Sequence, residues 1–175
     1  MAKKAPSPKA APRLSTQTDL SSNAVPEIAE ALNGLVADSY ALYTKTKNFH
    51  WHVSGPHFRD YHLLFDEQAS EIFATVDDLA ERVRKLGART IHSIGEIAKL
   101  QTIKDNDKDF VPPAEMLTEL MNDNKSVIKR MRVAHEIADK HEDVATASIL
   151  ENFIDQAEKR NWFLFEASRS ASGGH

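Results

Sequence analysis

Apolar residues return every three or four positions through most of this chain, a spacing that predicts amphipathic helices, and no segment has the two-residue period of a strand. We expect four long helices, over residues 22–51, 58–86, 112–140 and 143–168. The apolar face of the first includes Ile28, Leu32, Leu35, Leu42 and Phe49, and that of the last includes Leu150, Phe153, Ala157, Trp162 and Phe165.

Breaking residues mark the ends of these helices. The run Val53-Ser54-Gly55-Pro56 separates the first two, Gly87 suits a left-handed residue after the second, and Pro112-Pro113 opens the third. Residues 88–111 form the longest connection and can hold a short helix over 91–100. Four helices of about 25 residues, each roughly 40 Å long, with one long crossover predict an all-α bundle of the ferritin-like kind.

Four side chains of the second helix share one stripe of its surface. Steps of four and eleven residues return to nearly the same side of a helix, so His62, Asp66, Asp77 and Glu81 face one way. The pair at 62 and 66 nevertheless lies about 22 Å along the axis from the pair at 77 and 81, whereas a metal ion holds its ligand atoms at roughly 2 Å. One chain cannot close a compact site with all four, but two antiparallel copies can.

The chain has no cysteine among its 175 residues, so histidine and carboxylate are its strong metal ligands and thiol catalysis is excluded. Mixed imidazole and carboxylate ligands with open positions suit Fe(II) and its oxidation. The ordinary alternative is a solvated helix, on which charges four residues apart are common. A di-iron centre inside the bundle would use Glu-x-x-His motifs, and the sequence contains none.

Two runs of residues closely resemble the motifs of the Dps family, the mini-ferritins named as DNA-protection proteins of starved cells. One is Lys47-Asn48-Phe49-His50-Trp51-His52-Val53, followed by Gly55, Phe58, His62 and Asp66, and the other is Asp77-Asp78-Leu79-Ala80-Glu81-Arg82. The resemblance covers residues 22–169. It implies a ferritin-like four-helix bundle with a short helix in the long connection, assembled into a hollow homododecamer. It also implies Fe(II) oxidation, preferably with hydrogen peroxide, and storage of the ferric mineral in the cage.

The same resemblance assigns roles to individual residues. It implies that iron binds at the two-fold interfaces, between His50, Asp77 and Glu81 of one subunit and His62 and Asp66 of the partner subunit. Lys47 and Trp51 match positions that line this site in relatives, although Trp51 suits an apolar interface anchor equally well.

Carboxylates also line a three-fold pore in relatives, where iron would enter. Asp123, Asp139 and Asp143 are the candidates in this chain. A solvated acidic surface is the alternative for each of them.

The first residues differ from the rest in charge. Residues 1–18 hold Lys3, Lys4, Lys9 and Arg13 and no acid, whereas the whole chain carries −4, so the remainder carries −8. We predict a basic flexible tail over 1–21, a folded domain over 22–169 and a short C-terminal tail over 170–175. Twelve tails on one cage could bind DNA phosphates, without base specificity and with sensitivity to salt. A solubilising terminus is the alternative, since only some relatives bind DNA.

Two other functions stay open at this point. The protein could act mainly in packing the DNA of the nucleoid through its tail, or it could keep the fold and use the site for zinc or another metal. No segment resembles a signal peptide or is long and apolar enough to span a membrane, so we expect a cytoplasmic protein, nucleoid-associated if the tails bind DNA.

Overall fold

Five helices make up the computed structural model, which describes residues 14–169. They are α1 (Ala24–His52), α2 (Phe58–Lys85), α3 (Ile94–Leu100), α4 (Pro113–Lys140) and α5 (Val144–Ser168). α1 packs against α2 and α4 against α5, and α1 also contacts α4 and α3. The predicted all-α, ferritin-like bundle with a short helix in its long connection is confirmed. In the described part of the chain, no helix is both long and apolar enough to cross a membrane.

Local chemistry explains where the helices end. Gly55 and Gly87 have φ angles of +102° and +80°, a left-handed backbone that glycine adopts without strain, and each follows the end of a long helix. The Ser93 side chain accepts a hydrogen bond from the backbone N–H of Glu96 and so caps α3. Asp143 caps α5 in the same way through the N–H of Thr146. The predicted helix boundaries agree with these ends to within a few residues.

The core lies between the two helical hairpins. Phe49, Phe65, Leu79 and Leu150 are at most 1% exposed, and full burial of such side chains contributes roughly 1.5–3 kcal/mol each. Two residues of the predicted apolar face of α5 differ from that expectation. Trp162 and Phe165 are both more than half exposed, because they lie on the side of α5 that points away from the other helices.

Residues 14–21 lie against the bundle, although the sequence assigned them to the tail. The Thr16 hydroxyl donates to the carbonyl of Arg84 at 3.1 Å, and the Arg84 guanidinium donates to the carbonyl of Leu14 at 2.6 Å. The backbone of Thr16 also passes so close to Gly87 that a Cβ there would lie 2.8 Å from the Thr16 oxygen. The root of the tail is therefore held at the C-terminal end of α2. Lys3, Lys4, Lys9 and Arg13 lie outside the described residues, as do residues 170–175.

Candidate metal centre

The two imidazoles of the site stack on each other within one chain. The turn over 53–57 reverses the chain, so the last turn of α1 lies beside the first turn of α2, and the rings of His50 and His62 lie 3.8 Å apart. Nδ1 of each ring donates to the backbone carbonyl of the other residue at 2.8 Å. Because a carbonyl can only accept, both protons reside on Nδ1, and each Nε2 keeps its lone pair for a metal ion.

Asp66 lies next to this imidazole pair and is neutralised by Lys47. Its Oδ1 accepts a hydrogen bond from Lys47 Nζ at 2.6 Å and lies 3.9 Å from His50 Nε2. This hydrogen bond from the ammonium holds the pKa of the Asp66 carboxyl below its usual range. The same Nζ lies 5.9 Å from the centre of the Trp51 ring, which is 63% exposed. Lys47 and Trp51 thus border the carboxylate that would receive a metal.

The expected grouping of His50 with Asp77 and Glu81 requires a correction. His50 packs on His62 of its own chain, whereas residues 77 and 81 lie at least about 16 Å further along α2 than Asp66. The sequence could not show this, because it gives spacing along each helix but not how the end of α1 folds back onto α2. One chain therefore brings His50, His62 and Asp66 together as one candidate half-site.

Asp77 and Glu81 form a second, separate candidate half-site. Both are exposed, and Glu81 Oε2 forms a surface ion pair with Lys85 at 3.2 Å. Within residues 14–169 of a single chain, no group of three or more His, Cys, Asp or Glu is placed to hold a metal ion. The geometry agrees with the sequence argument that neither pair on α2 completes a site alone.

An aromatic cluster between the two half-sites escaped the sequence analysis. The Phe73 ring contacts Tyr43 and Tyr40, with ring centres 4.9 and 6.0 Å apart. Phe73 is 47% exposed and falls on the same stripe of α2 as Asp66 and Asp77. The helical period could have found it, because Phe73 is four residues before Asp77.

Two amides and a guanidinium, none of them a carboxylate, occupy one buried region between α2, α4 and α5. Gln68 donates to the carbonyl of Arg160 at 3.1 Å, and the Arg160 side chain approaches Asn124 at 3.4 Å. All three are buried. Burial lowers the pKa of Arg160, with Glu71 opposing that shift. A metal site outside the bundle fits these residues better than one inside it.

The three pore candidates have different surroundings. Asp143 is 3% exposed, caps α5 and binds Arg82 at 2.5 Å, so it is a structural carboxylate and not an open pore residue in this chain. Asp123 pairs with the buried Lys45 at 2.7 Å, and burial raises its pKa. Asp139 is exposed and lies 3.3 Å from His135. Of the three, Asp139 is the one that a solvated pore could use.

Comparisons with known proteins place this chain among ferritin-like proteins. Residues 29–168 match the ferritin-like domain family. A DNA protection during starvation protein from Brevibacillus brevis is 35% identical over 137 residues, which cover 78% of this chain and 91% of that one.

Solved structures agree with the sequence comparisons. Dps from Thermosynechococcus elongatus has a TM-score of 0.82 and 30% identity, covering 86% of this chain and 96% of its own. The Dps protein from Vibrio cholerae O1, a member of a broad superfamily of ferritin-like diiron-carboxylate proteins, has a TM-score of 0.84 and 26% identity. That match covers 91% of this chain and all of the other.

Proposed function

Since this chain belongs to the Dps family of ferritin-like proteins, we propose that it sequesters iron by oxidising Fe(II) at sites shared between subunits. Hydrogen peroxide is the preferred oxidant, and the ferric mineral is stored in a cage of twelve chains. Removing Fe(II) and peroxide together protects nearby DNA from oxidative damage.

One observation carries this proposal. A single chain carries two incomplete ligand sets, one where His50 at the end of α1 meets His62 and Asp66 of α2, and one at Asp77 and Glu81 further along the same stripe of α2. In an antiparallel pair of α2 helices, each set of one chain faces the other set of its partner. Two imidazoles and three carboxylates then converge, which is a donor set suited to Fe(II) and Fe(III).

Hydrogen bonds within the chain orient the ligands around His50 and His62 before a metal arrives. The Nδ1 hydrogen bonds fix both imidazoles in the tautomer that leaves Nε2 free, so binding Fe(II) costs no ring rotation. The Lys47 ammonium balances Asp66 until Fe(II) arrives as substrate and replaces that charge. The negative charges of the three carboxylates attract Fe(II) and hold the Fe(III) product more strongly, until it moves to the mineral.

The stoichiometry explains the protective effect. Two Fe(II) ions give one electron each to a single hydrogen peroxide, which takes up two protons and leaves as two water molecules, while two Fe(III) ions remain. Hydroxyl radical forms when peroxide receives one electron alone. A site that delivers both electrons together therefore avoids the radical.

DNA binding through the tail is the second function that we propose. The names of the relatives refer to DNA protection, and Lys3, Lys4, Lys9 and Arg13 form a basic segment without acids. Its root is held at Leu14 and Thr16 against the end of α2, so every subunit would present the segment from the same place on the cage. Weak phosphate contacts repeated twelve times would give avidity.

Anaerobic loading tests the principal function. Fe(II) is added without oxygen, hydrogen peroxide follows, and ferric absorbance and trapped hydroxyl radical are recorded. We expect the Asp77→Ala/Glu81→Ala variant to lose rapid oxidation. The matched control, Glu67→Ala/Asp78→Ala, removes two exposed carboxylates of α2 outside the stripe and should keep it. Equal rates in the two variants would contradict a role for the stripe. Binding of Fe(II) without oxidation, with tighter binding of zinc, would favour another metal.

A further inference from the structure

Phe73 is a large apolar side chain on the exposed face of α2, where contact with water is unfavourable. It is 47% exposed and stands on the stripe of α2 that also carries Asp66 and Asp77. Nearly half of a phenylalanine left in water forgoes a substantial part of its burial energy. An exposed aromatic between two incomplete ligand sets indicates a contact with another chain.

Two tyrosines of α1 pack against the Phe73 ring. Tyr43 lies against it with a centre-to-centre distance of 4.9 Å, and Tyr40 meets it edge-on at 6.0 Å. These contacts fix the orientation of the ring before any partner arrives, so little rotamer freedom is lost on association. Phe73 is therefore a rigid projection from the α1–α2 face.

The position of Phe73 along α2 follows from the proposed pairing of sites. If His62 faces Glu81 of the partner subunit, and Asp66 faces its Asp77, the two antiparallel helices cross midway between these pairs. At 1.5 Å per residue, Phe73 lies about 2 Å along the axis from that crossing point. The same register sets Phe73 opposite Ser70 and Leu63 opposite Ala80, in each case a large side chain against a small one. Ser70 is exposed on α2, as is Leu63.

We propose that Phe73 is a positioning residue that packs on α2 of a second copy of this chain and sets the register in which the two half-sites meet. The inference rests on the proposed function, because the register is defined by the ligand pairs. A slip of one helical turn would move each ligand by about 5 Å along the axis, far more than coordination at roughly 2 Å tolerates. The small side chains of Ser70 and Ala74 leave room for the ring around the two-fold axis.

Cysteine cross-linking tests the register without any use of iron. The chain has no cysteine, so only the introduced thiols can react with the cross-linker. With a short bis-maleimide, the Leu63→Cys/Ala80→Cys variant should form covalent dimers on a denaturing gel, whereas either single variant should not. In the matched control, Glu67→Cys/Ala80→Cys, the two thiols lie about 6 Å further apart along the axis, so its yield should be lower; pairing one turn out of register would reverse the two yields. Dimers in the control and none in the first variant would overturn the proposed pairing.

Substitution of Phe73 tests its role in that register. In Phe73→Ala we expect the Leu63–Ala80 cross-link yield to fall severalfold and peroxide-driven Fe(II) oxidation to slow by about tenfold or more, since misplacement of reacting groups is costly. Phe73→Leu should restore most of both. Phe110→Ala, which removes an exposed phenylalanine from the α3–α4 connection, is the matched control and should change neither.

A second variant guards against simple unfolding. Ser70→Phe leaves Tyr40, Tyr43 and Phe73 untouched but sets two large rings against each other across the axis, so it should lower the cross-link yield as Phe73→Ala does. Wild-type cross-linking and oxidation in both Phe73→Ala and Ser70→Phe would overturn the positioning role and leave the proposed function standing. A wild-type protein that cross-links in register but oxidises no Fe(II) would overturn the function instead.

Discussion

Nδ1 of His50 donates to the carbonyl of His62, and Nδ1 of His62 donates to the carbonyl of His50, both at 2.8 Å. The two residues lie twelve positions apart on different helices, and each fixes the ring of the other. Substitution of either histidine would remove a contact that orients the other ring. The two histidines and Asp66 therefore belong to the same half-site.

Subunit mixing tests this grouping. We expect His50→Ala subunits to regain Fe(II) oxidation when mixed with Asp77→Ala/Glu81→Ala subunits, because the intact halves then meet in a mixed pair. In a random mixture half of the pairs are mixed and one of their two sites is intact, so about a quarter of the sites recover. The measurement is the oxidation rate after subunit exchange, with mass-tagged chains to verify that mixed cages form.

A second double variant, His62→Ala/Asp66→Ala, supplies the control. His50→Ala mixed with His62→Ala/Asp66→Ala should stay inactive, since both lesions lie in the same half. Recovery in this second mixture, without recovery in the first, would show that His50 acts with Asp77 and Glu81 of its own chain and not with His62 and Asp66.

Asp143→Ala should destabilise the fold and not merely alter iron entry. Its carboxylate caps α5 through the N–H of Thr146 at 3.0 Å and binds Arg82 at 2.5 Å. Loss of the cap and of a largely buried ion-pair partner should lower the free energy of unfolding by about 2–4 kcal/mol. Denaturant unfolding followed by circular dichroism gives the value. Asp139→Ala, at an exposed site, is the control and should unfold almost as the wild type does.

Acid should weaken the connection that holds α3. Glu96 accepts hydrogen bonds from Arg89 at 2.5 and 2.9 Å, and this contact lowers the pKa of Glu96 from its ordinary 4.5, with the N–H of His92 adding to the effect. A carboxyl whose pKa is depressed by folding stabilises fully above its unfolded pKa and loses that contribution as the pH falls through its folded pKa.

Melting temperatures across pH check the sign. The difference between wild type and Glu96→Gln should be constant near neutral pH and should shrink below about pH 4.5. Glu115→Gln, at an exposed position in the first turn of α4, serves as the comparison. A Glu96→Gln difference that grew as the pH fell would show that the carboxylate does not stabilise the connection.

Removal of residues 1–13 should separate DNA binding from iron oxidation. This truncation takes away Lys3, Lys4, Lys9 and Arg13 but keeps Leu14 and Thr16, which contact Arg84. We expect DNA retardation on gels to disappear and Fe(II) oxidation to persist. Added salt should release DNA from the full chain while the cage stays assembled in light scattering. A truncated cage that still retards DNA would move the contact to the folded surface.

The sequence predicted those features that depend on neighbours along the chain. The helix boundaries, the left-handed Gly87 and the shared face of His62, Asp66, Asp77 and Glu81 follow from helical period and breaking residues. The sequence did not predict that His50 packs on His62, because this contact depends on how the turn after Val53 brings α2 alongside α1. Nor did the structural role of Asp143, whose Arg82 partner lies 61 positions away.

Gly87 lets the segment before α1 pass close to the end of α2. Because any side chain at this position would meet the Thr16 backbone, the segment ahead of α1 fits closely against the end of α2, beside the hydrogen bond from Arg84 to the Leu14 carbonyl. Protein engineering at this end of the chain therefore has a steric constraint: glycine must stay at position 87 for the Thr16 backbone to keep its place.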